Sequence, residues 1–261
     1  DIDIMICMKA DGCTYNELPD KIEITAPDTA TRFKDYVNEG TNILNSRKVI
    51  NAFIGKLVGI PQYKKAEIKR NLEAATLNLE SYDWVFDIVP CFFTKEDDYN
   101  RTYYIIPDGS GNWKKTDPRI DSERITNINQ AHEGNILNVI RAIKYWNSRA
   151  TMPSMGSYLL ENMILDYYAE QTTASSQYVD IEIEKVLIEI HRRVYYTVND
   201  PKGIQGNLNN LSSEDRKKIK DRAYQDYVKA FEARKLESQN NHKDAISKWI
   251  EIFGDKFPKY E

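Results

Sequence analysis

The chain has 261 residues, 41% of them hydrophobic and 29% charged, with 36 Lys and Arg against 40 Asp and Glu for a net charge of -4. That balance excludes a disordered or fibrous chain. It also argues against nonspecific binding of duplex DNA or RNA as the main task, which needs a basic excess. No apolar run approaches the roughly 20 residues of a membrane-crossing helix. Three cysteines and three scattered histidines, none in a CxxC spacing, disfavour a structural zinc site and fit a reducing, cytoplasmic compartment.

In chain order, residues 1–8 alternate and are rich in β-branched side chains, which predicts a strand. Residues 9–28, with Gly12, Pro19 and Pro27, read as a loop. Thr29 to Glu39 fits a short helix stopped at Gly40, and Ser46 is placed to cap a second one with Val49, Ile50, Phe53, Ile54 and Leu57 on one face. The basic stretch Lys64–Arg70 reads as a solvated helix end. Ala75–Glu80, Trp84–Phe93 and Arg101–Ile106 are strand candidates, the last running into the dense turn signal Pro107–Asn112. From about Asp121 the periodicity becomes helical. Ile136, Leu137, Val139, Ile140, Ile143 and Trp146 mark one buried face, and further helices are expected at Tyr158–Tyr168, Asp180–Tyr196, Glu214–Leu236 and Asn241–Phe253. The organisation is an α+β lobe over 1–120 followed by an all-helical lobe over 121–261.

The strongest chemical signal is acidic. Residues i and i+2 of a strand share a face, about 7 Å apart, so Asp1 and Asp3 project together while Ile2, Ile4, Ile6 and Met8 take the other side. Two carboxylates on one face repel unless a cation lies between them, and Mg²⁺ prefers such oxygen ligands. A solvated strand end is the plain alternative. Asp87 sits between Phe86 and Ile88 in an otherwise apolar strand, where an unpaired charge costs several kcal/mol. It needs either a basic partner or a metal. Three carboxylates on two neighbouring strands suit two divalent ions about 4 Å apart.

Asp1-Ile2-Asp3, the later Phe86-Asp87-Ile88-Val89-Pro90 strand and the helical second half together resemble the polymerase-β-like nucleotidyltransferases, and more closely the bacterial cGAS/DncV-like (CD-NTase) group of antiphage systems. Tyr104–Gly109 through Trp113 and Thr116–Pro118, Ile143–Asn147, Gly156–Glu161, and Trp249–Gly254 to Tyr260 carry the same likeness across nearly the whole chain. The resemblance implies a nucleotidyltransferase lobe with a mixed sheet, a helical lobe behind it and an active site in the cleft between them. It implies that Asp1, Asp3 and Asp87 are the catalytic triad and hold two Mg²⁺ (or Mn²⁺) ions. Lys144 would lie on the donor triphosphate, Ser157 would touch phosphates, and Tyr158 would stack on a base. Each of the last three has a simpler reading: a solvated lysine, a helix cap and a core aromatic.

The implied reaction joins NTPs, ATP among them, into a cyclic di- or trinucleotide with release of pyrophosphate. The product would act on a separate effector in antiphage defence, with no membrane partner and no control by double-stranded DNA. Transfer of a nucleotide to a tRNA, small molecule or protein, or a degenerate binding module, are the competing readings. Relatives also carry a Gly-Ser motif roughly a dozen residues before the first Asp, where backbone amides cradle phosphates, and a long spine helix. Neither is present in this sequence, so the chain by itself is expected to be weaker than an intact relative.

Overall fold

A computed structural model describes residues 2–153 and 155–261. It divides into two compact units, Asp1–Asp117 and Pro118–Glu261.

The first unit holds strands β1 (Ile2–Cys7), β2 (Thr14–Glu17), β3 (Ile22–Thr25), β4 (Glu67–Asn71), β5 (Ala74–Asn78), β6 (Val85–Phe93), β7 (Tyr104–Pro107) and β8 (Trp113–Thr116), and helix α1 (Ser46–Val58). They form a mixed sheet in the order β2-β3-β8-β7-β6-β5-β4, with β1 added to β6. The long β6 carries the arrangement. Its first half lies between antiparallel β5 and parallel β1, and its last residues, Phe92 and Phe93, pair with β7.

The pleat then sorts the side chains. Phe86 and Ile88 share a face with their β5 partners Leu77 and Ala75, and Ile50, Phe53, Ile54 and Leu57 of α1 pack onto that face. Asp87 and its β5 partner Thr76 point the other way. A second core gathers Ile22, Ile24, Phe33, Leu44, Val49, Phe92, Ile105 and Trp113. Trp113 is fully buried there, and its indole N–H is satisfied by the Leu44 carbonyl at 2.9 Å. Such a partner is what makes burial of an indole favourable.

Several local expectations are corrected. Residues 9–28 are not simply a loop but contain the β2–β3 hairpin. Every residue of β2 is exposed, so the strand has no apolar alternation to betray it. Part of the Lys64–Arg70 stretch is β4, held by pairing with β5 rather than by its own side chains. Thr29–Glu39 forms only a short 3₁₀ turn, Thr31–Tyr36. Asn45, not Ser46, caps α1, its side chain accepting the Lys48 amide at 3.2 Å. At the Pro107–Asn112 turn, Gly109 adopts φ +84°, a left-handed conformation that favours glycine.

The second unit is helical: α2 (Pro118–Ala131), α3 (Ile136–Asn147), α4 (Ser157–Ala169), α5 (Val179–Arg193), α6 (Ser213–Ser238) and α7 (His242–Phe253). Pro118 opens α2, where its missing N–H costs nothing. The Ser212 hydroxyl caps α6 by accepting the Asp215 amide at 3.0 Å. Of the stripe expected on α3, Ile136, Val139, Ile140, Ile143 and Trp146 are buried and Leu137 is only half-buried. Helix α4 buries residues all round, from Leu159 to Tyr168, and is the central helix of this core. His132 is a structural residue. It is buried, with Nε2 2.9 Å from the Tyr168 carbonyl and Nδ1 accepting the Ser175 amide at 3.0 Å. Among the described residues no helix is long and apolar enough to cross a membrane.

Candidate active site

The site in the first unit is built by strand register. In β1 and β6, paired in parallel, Asp3 stands directly opposite Asp87. Directly opposed residues of adjacent strands share a face, so the two carboxylates are neighbours on the face away from α1. Ile2 and Ile4 pair with Phe86 and Ile88 on the other face. The alternation Ile2-Asp3-Ile4 thus does in three dimensions what its period of two requires. Asp3 is exposed and Asp87 half-buried. Asp87 accepts one hydrogen bond, from the Thr76 hydroxyl to Oδ1 at 2.7 Å. Among the described residues neither Asp3 nor Asp87 takes part in an ion pair. Asp1 lies outside the described residues, and among the described ones no group of three or more metal-ligating side chains occurs.

Two hard oxygen donors, opposed across a strand pair and not ion-paired among the described residues, are the donor chemistry that Mg²⁺ or Mn²⁺ takes. The residues therefore fit a divalent ion. The basic partner that would have given Asp87 its plain reading is not found among the described residues.

Lys144, Ser157 and Tyr158 belong to the second unit. Lys144, near the end of α3, is ion-paired to Glu161 of α4. Glu161 stands one turn after Ser157 on the same helix, so the Lys144 ammonium is anchored beside the exposed first turn of α4. Ser157 is the first helical residue and Gly156 the cap, without a side-chain capping bond. The cap reading of Ser157 is thus corrected. Its hydroxyl is exposed at a helix N-terminus, where amides and dipole favour an anion.

Tyr158 is held more firmly than a free stacking ring. Its hydroxyl lies 2.8 Å from Asp121 and 2.9 Å from Asp200, and the Lys202 ammonium is 2.7 Å from the hydroxyl and 2.8 Å from Asp121. Lys202 also sits 4.1 Å from the ring centroid. Burial first, then the two carboxylates, raise the tyrosine pKa above its ordinary value. Burial also pushes the Asp200 carboxyl up. The Gln205 amide, the Tyr158 hydroxyl and the Lys202 and Ile204 amides outweigh that and hold it below the usual carboxylate range. Asp121, Asp200, Lys202, Glu161 and Thr76 were not singled out by sequence. A lysine two residues after an aspartate in a Pro-Gly loop carries no periodic signal. The one legible hint was Thr76, a polar residue within the apolar run Ala74–Leu77.

No protein-family model matches the chain. A probable cyclic nucleotide synthase of Bacillus cereus (strain VD146) is 46% identical over 262 residues, covering 100% of this chain and 78% of that protein. The chain belongs to the cGAS/DncV-like nucleotidyltransferases, the family of the cyclic nucleotide synthases. Solved members of this family share its fold at low identity. Escherichia coli DncV in its 3′-deoxy-GTP-bound form superposes with a TM-score of 0.65 at 14% identity, over 85% of this chain and 60% of that one. CdnC of E. coli MS115-1 with ATP gives 0.63 at 13%, over 91% and 77%. The Vibrio cholerae DncV cyclic AMP–GMP synthase gives 0.62 at 12%, over 82% and 57%. This nucleotidyltransferase chain therefore spans less than two thirds of either DncV chain.

Proposed function

We propose that this CD-NTase chain carries the catalytic machinery of a cyclic oligonucleotide synthase, which joins NTPs with release of pyrophosphate and serves bacterial antiphage defence through a separate effector. One observation carries the reading. Asp3 and Asp87 oppose each other across β1 and β6, neither ion-paired among the described residues, in a chain 46% identical to a probable cyclic nucleotide synthase. The nucleotides named with the structural relatives, ATP with CdnC and a linear pppA(3′,5′)pG intermediate with V. cholerae DncV, support NTPs as the substrate class.

In this reading Asp1, Asp3 and Asp87 hold two Mg²⁺ or Mn²⁺ ions, which when bound supply Lewis-acid stabilisation of the phosphates and lower the pKa of an attacking ribose hydroxyl. The residues' own contribution is positioning and charge. Lys144, braced by Glu161, offers a point charge to donor phosphates. The first turn of α4 at Ser157 presents backbone amides to an anion. The ring of Tyr158 stacks on a base, which tolerates more than one base. The protein is read as cytoplasmic and independent of double-stranded DNA.

The test is incubation with Mg²⁺ and the four labelled NTPs without any acceptor. Phosphatase-resistant product is expected. Label that appears only when a tRNA, small molecule or protein acceptor is added would replace this reading with an acceptor-modifying nucleotidyltransferase.

A further inference from the structure

The Asp87 carboxylate lies between two strands. On the β1 side stands Asp3, which repels it, and on the β5 side stands Thr76, its directly opposed partner, whose hydroxyl donates to Oδ1 at 2.7 Å. That bond is the one polar contact Asp87 makes among the described residues. Thr76 is 7% exposed and lies between the buried Ala75 and Leu77. A β-branched side chain in a strand has few rotamers open to it, so the packing that buries Thr76 also aims its hydroxyl. The consequence for Asp87 is specific. One carboxylate oxygen is tied toward β5, and Oδ2 has no partner among the described residues.

We propose that Thr76 is the positioning residue of the active-site carboxylate, holding Asp87 by Oδ1 so that Oδ2 is presented to a divalent cation shared with Asp3. The inference rests on the reading of Asp87 as a cation ligand and adds the residue that orients it. A carboxylate that must first be frozen by the arriving ion binds it less tightly than one already oriented. Hydrogen-bond partners of this kind are worth about 10–100-fold in metal affinity. Valine has nearly the shape of threonine and a high strand propensity, so Thr76→Val removes the hydroxyl with little disturbance of the sheet. Thr76→Ser returns it.

The experiment is Mn²⁺ titration of the full chain, followed by the electron paramagnetic resonance signal of free Mn²⁺, in the presence of a nonhydrolysable ATP analogue. Thr76→Val is expected to weaken Mn²⁺ about 10–100-fold, with Thr76→Ser returning close to wild type and both variants melting cooperatively. In turnover, Thr76→Val should lower kcat and leave the KM for NTP little changed. Asp87→Asn, run alongside, should lose Mn²⁺ uptake. Wild-type Mn²⁺ affinity in Thr76→Val, with uptake lost in Asp87→Asn, would overturn the role of Thr76 and leave Asp87 a ligand. Unchanged uptake in Asp87→Asn, or none in the wild type, would overturn the reading of Asp87 and this inference with it. Equal losses in Thr76→Ser and Thr76→Val would also sink it, since a hydroxyl that acts by orientation must be replaceable by another.

Discussion

The two units each gather two aspartates, and treat them oppositely. In the first, Asp3 and Asp87 share a sheet face, and among the described residues neither is ion-paired and the Thr76 hydroxyl is the one side-chain donor to the pair. In the second, Asp121 and Asp200 are closed into a network with Tyr158 and Lys202, and the Asp200 side chain is wholly buried. The difference teaches what distinguishes a ligand site from a brace. Carboxylates whose lone pairs are filled from inside have nothing left to offer. Carboxylates left open on rigid strands are an unfavourable arrangement until something outside completes them.

The largest effect that could break this contrast belongs to the open pair. Asp87→Asn should lower nucleotidyl transfer by about a thousandfold or more, equivalent to about 4 kcal/mol of barrier. Pyrophosphate release measures it. Asp3→Asn should act in the same direction and, at an exposed position, move unfolding free energy by no more than about 0.5 kcal/mol. A large stability loss in Asp3→Asn would make the pair a brace after all.

The closed network should respond in the reverse way. Lys202→Met removes an ammonium whose side chain is only 7% exposed and leaves Asp121 and Asp200 facing each other, so urea unfolding should shift by about 3–5 kcal/mol. Tyr158→Phe deletes one hydroxyl from the same cluster and should cost about 1–3 kcal/mol. If its ring stacks on a base, the KM for NTP should change little in that variant, because the π-face is retained. Acid sharpens the comparison further. The Asp200 carboxyl titrates below its ordinary value in the folded protein. Its contribution is therefore complete above the unfolded pKa of about 3.9 and is lost as pH falls through the lower folded one. Asp200→Asn should flatten the fall in stability below about pH 4, followed by tryptophan fluorescence.

The smallest expected effect is a labelling order. Cys7 is exposed and stands opposite buried Cys91 in the β1–β6 register. Burial first, then the neighbouring Cys7 thiol, push Cys91 up to about 12. Cys13 is raised as well, mainly by burial. Since the thiolate is the reactive form, alkylation at pH 8 read by peptide mass should mark Cys7 first and Cys91 last. Early labelling of Cys91 would mean that β1 separates from β6, and with it Asp3 from Asp87.

Much of this was legible before any coordinates. The period-two run at Asp1–Met8 and the apolar strand around Asp87 announced both carriers of the acidic pair, and the stripe on α3 announced its buried face. The strands that escaped notice are Thr14–Glu17, Ile22–Thr25, Glu67–Asn71 and Trp113–Thr116. Thr14–Glu17 and Glu67–Asn71 are polar and exist because a neighbour pairs with them, and the other two are runs of only four residues. Lys202 escaped for a related reason. Its partners, Asp121 and Tyr158, are 81 and 44 residues away, and no local pattern encodes a contact of that span.

What the sequence by itself determined is the alternation that puts Asp and Ile on opposite faces, the helical second half, and the kinship to nucleotidyltransferases, because side-chain period and residue order are local properties. What only the tertiary structure decided is the register that sets Asp3 against Asp87, the Thr76 hydroxyl that holds one of them, and the closure of Tyr158 between two carboxylates and a lysine. Register and long-range ion pairing depend on which segments meet, and that is settled by burial summed over the whole sheet or bundle rather than by any one stretch of chain.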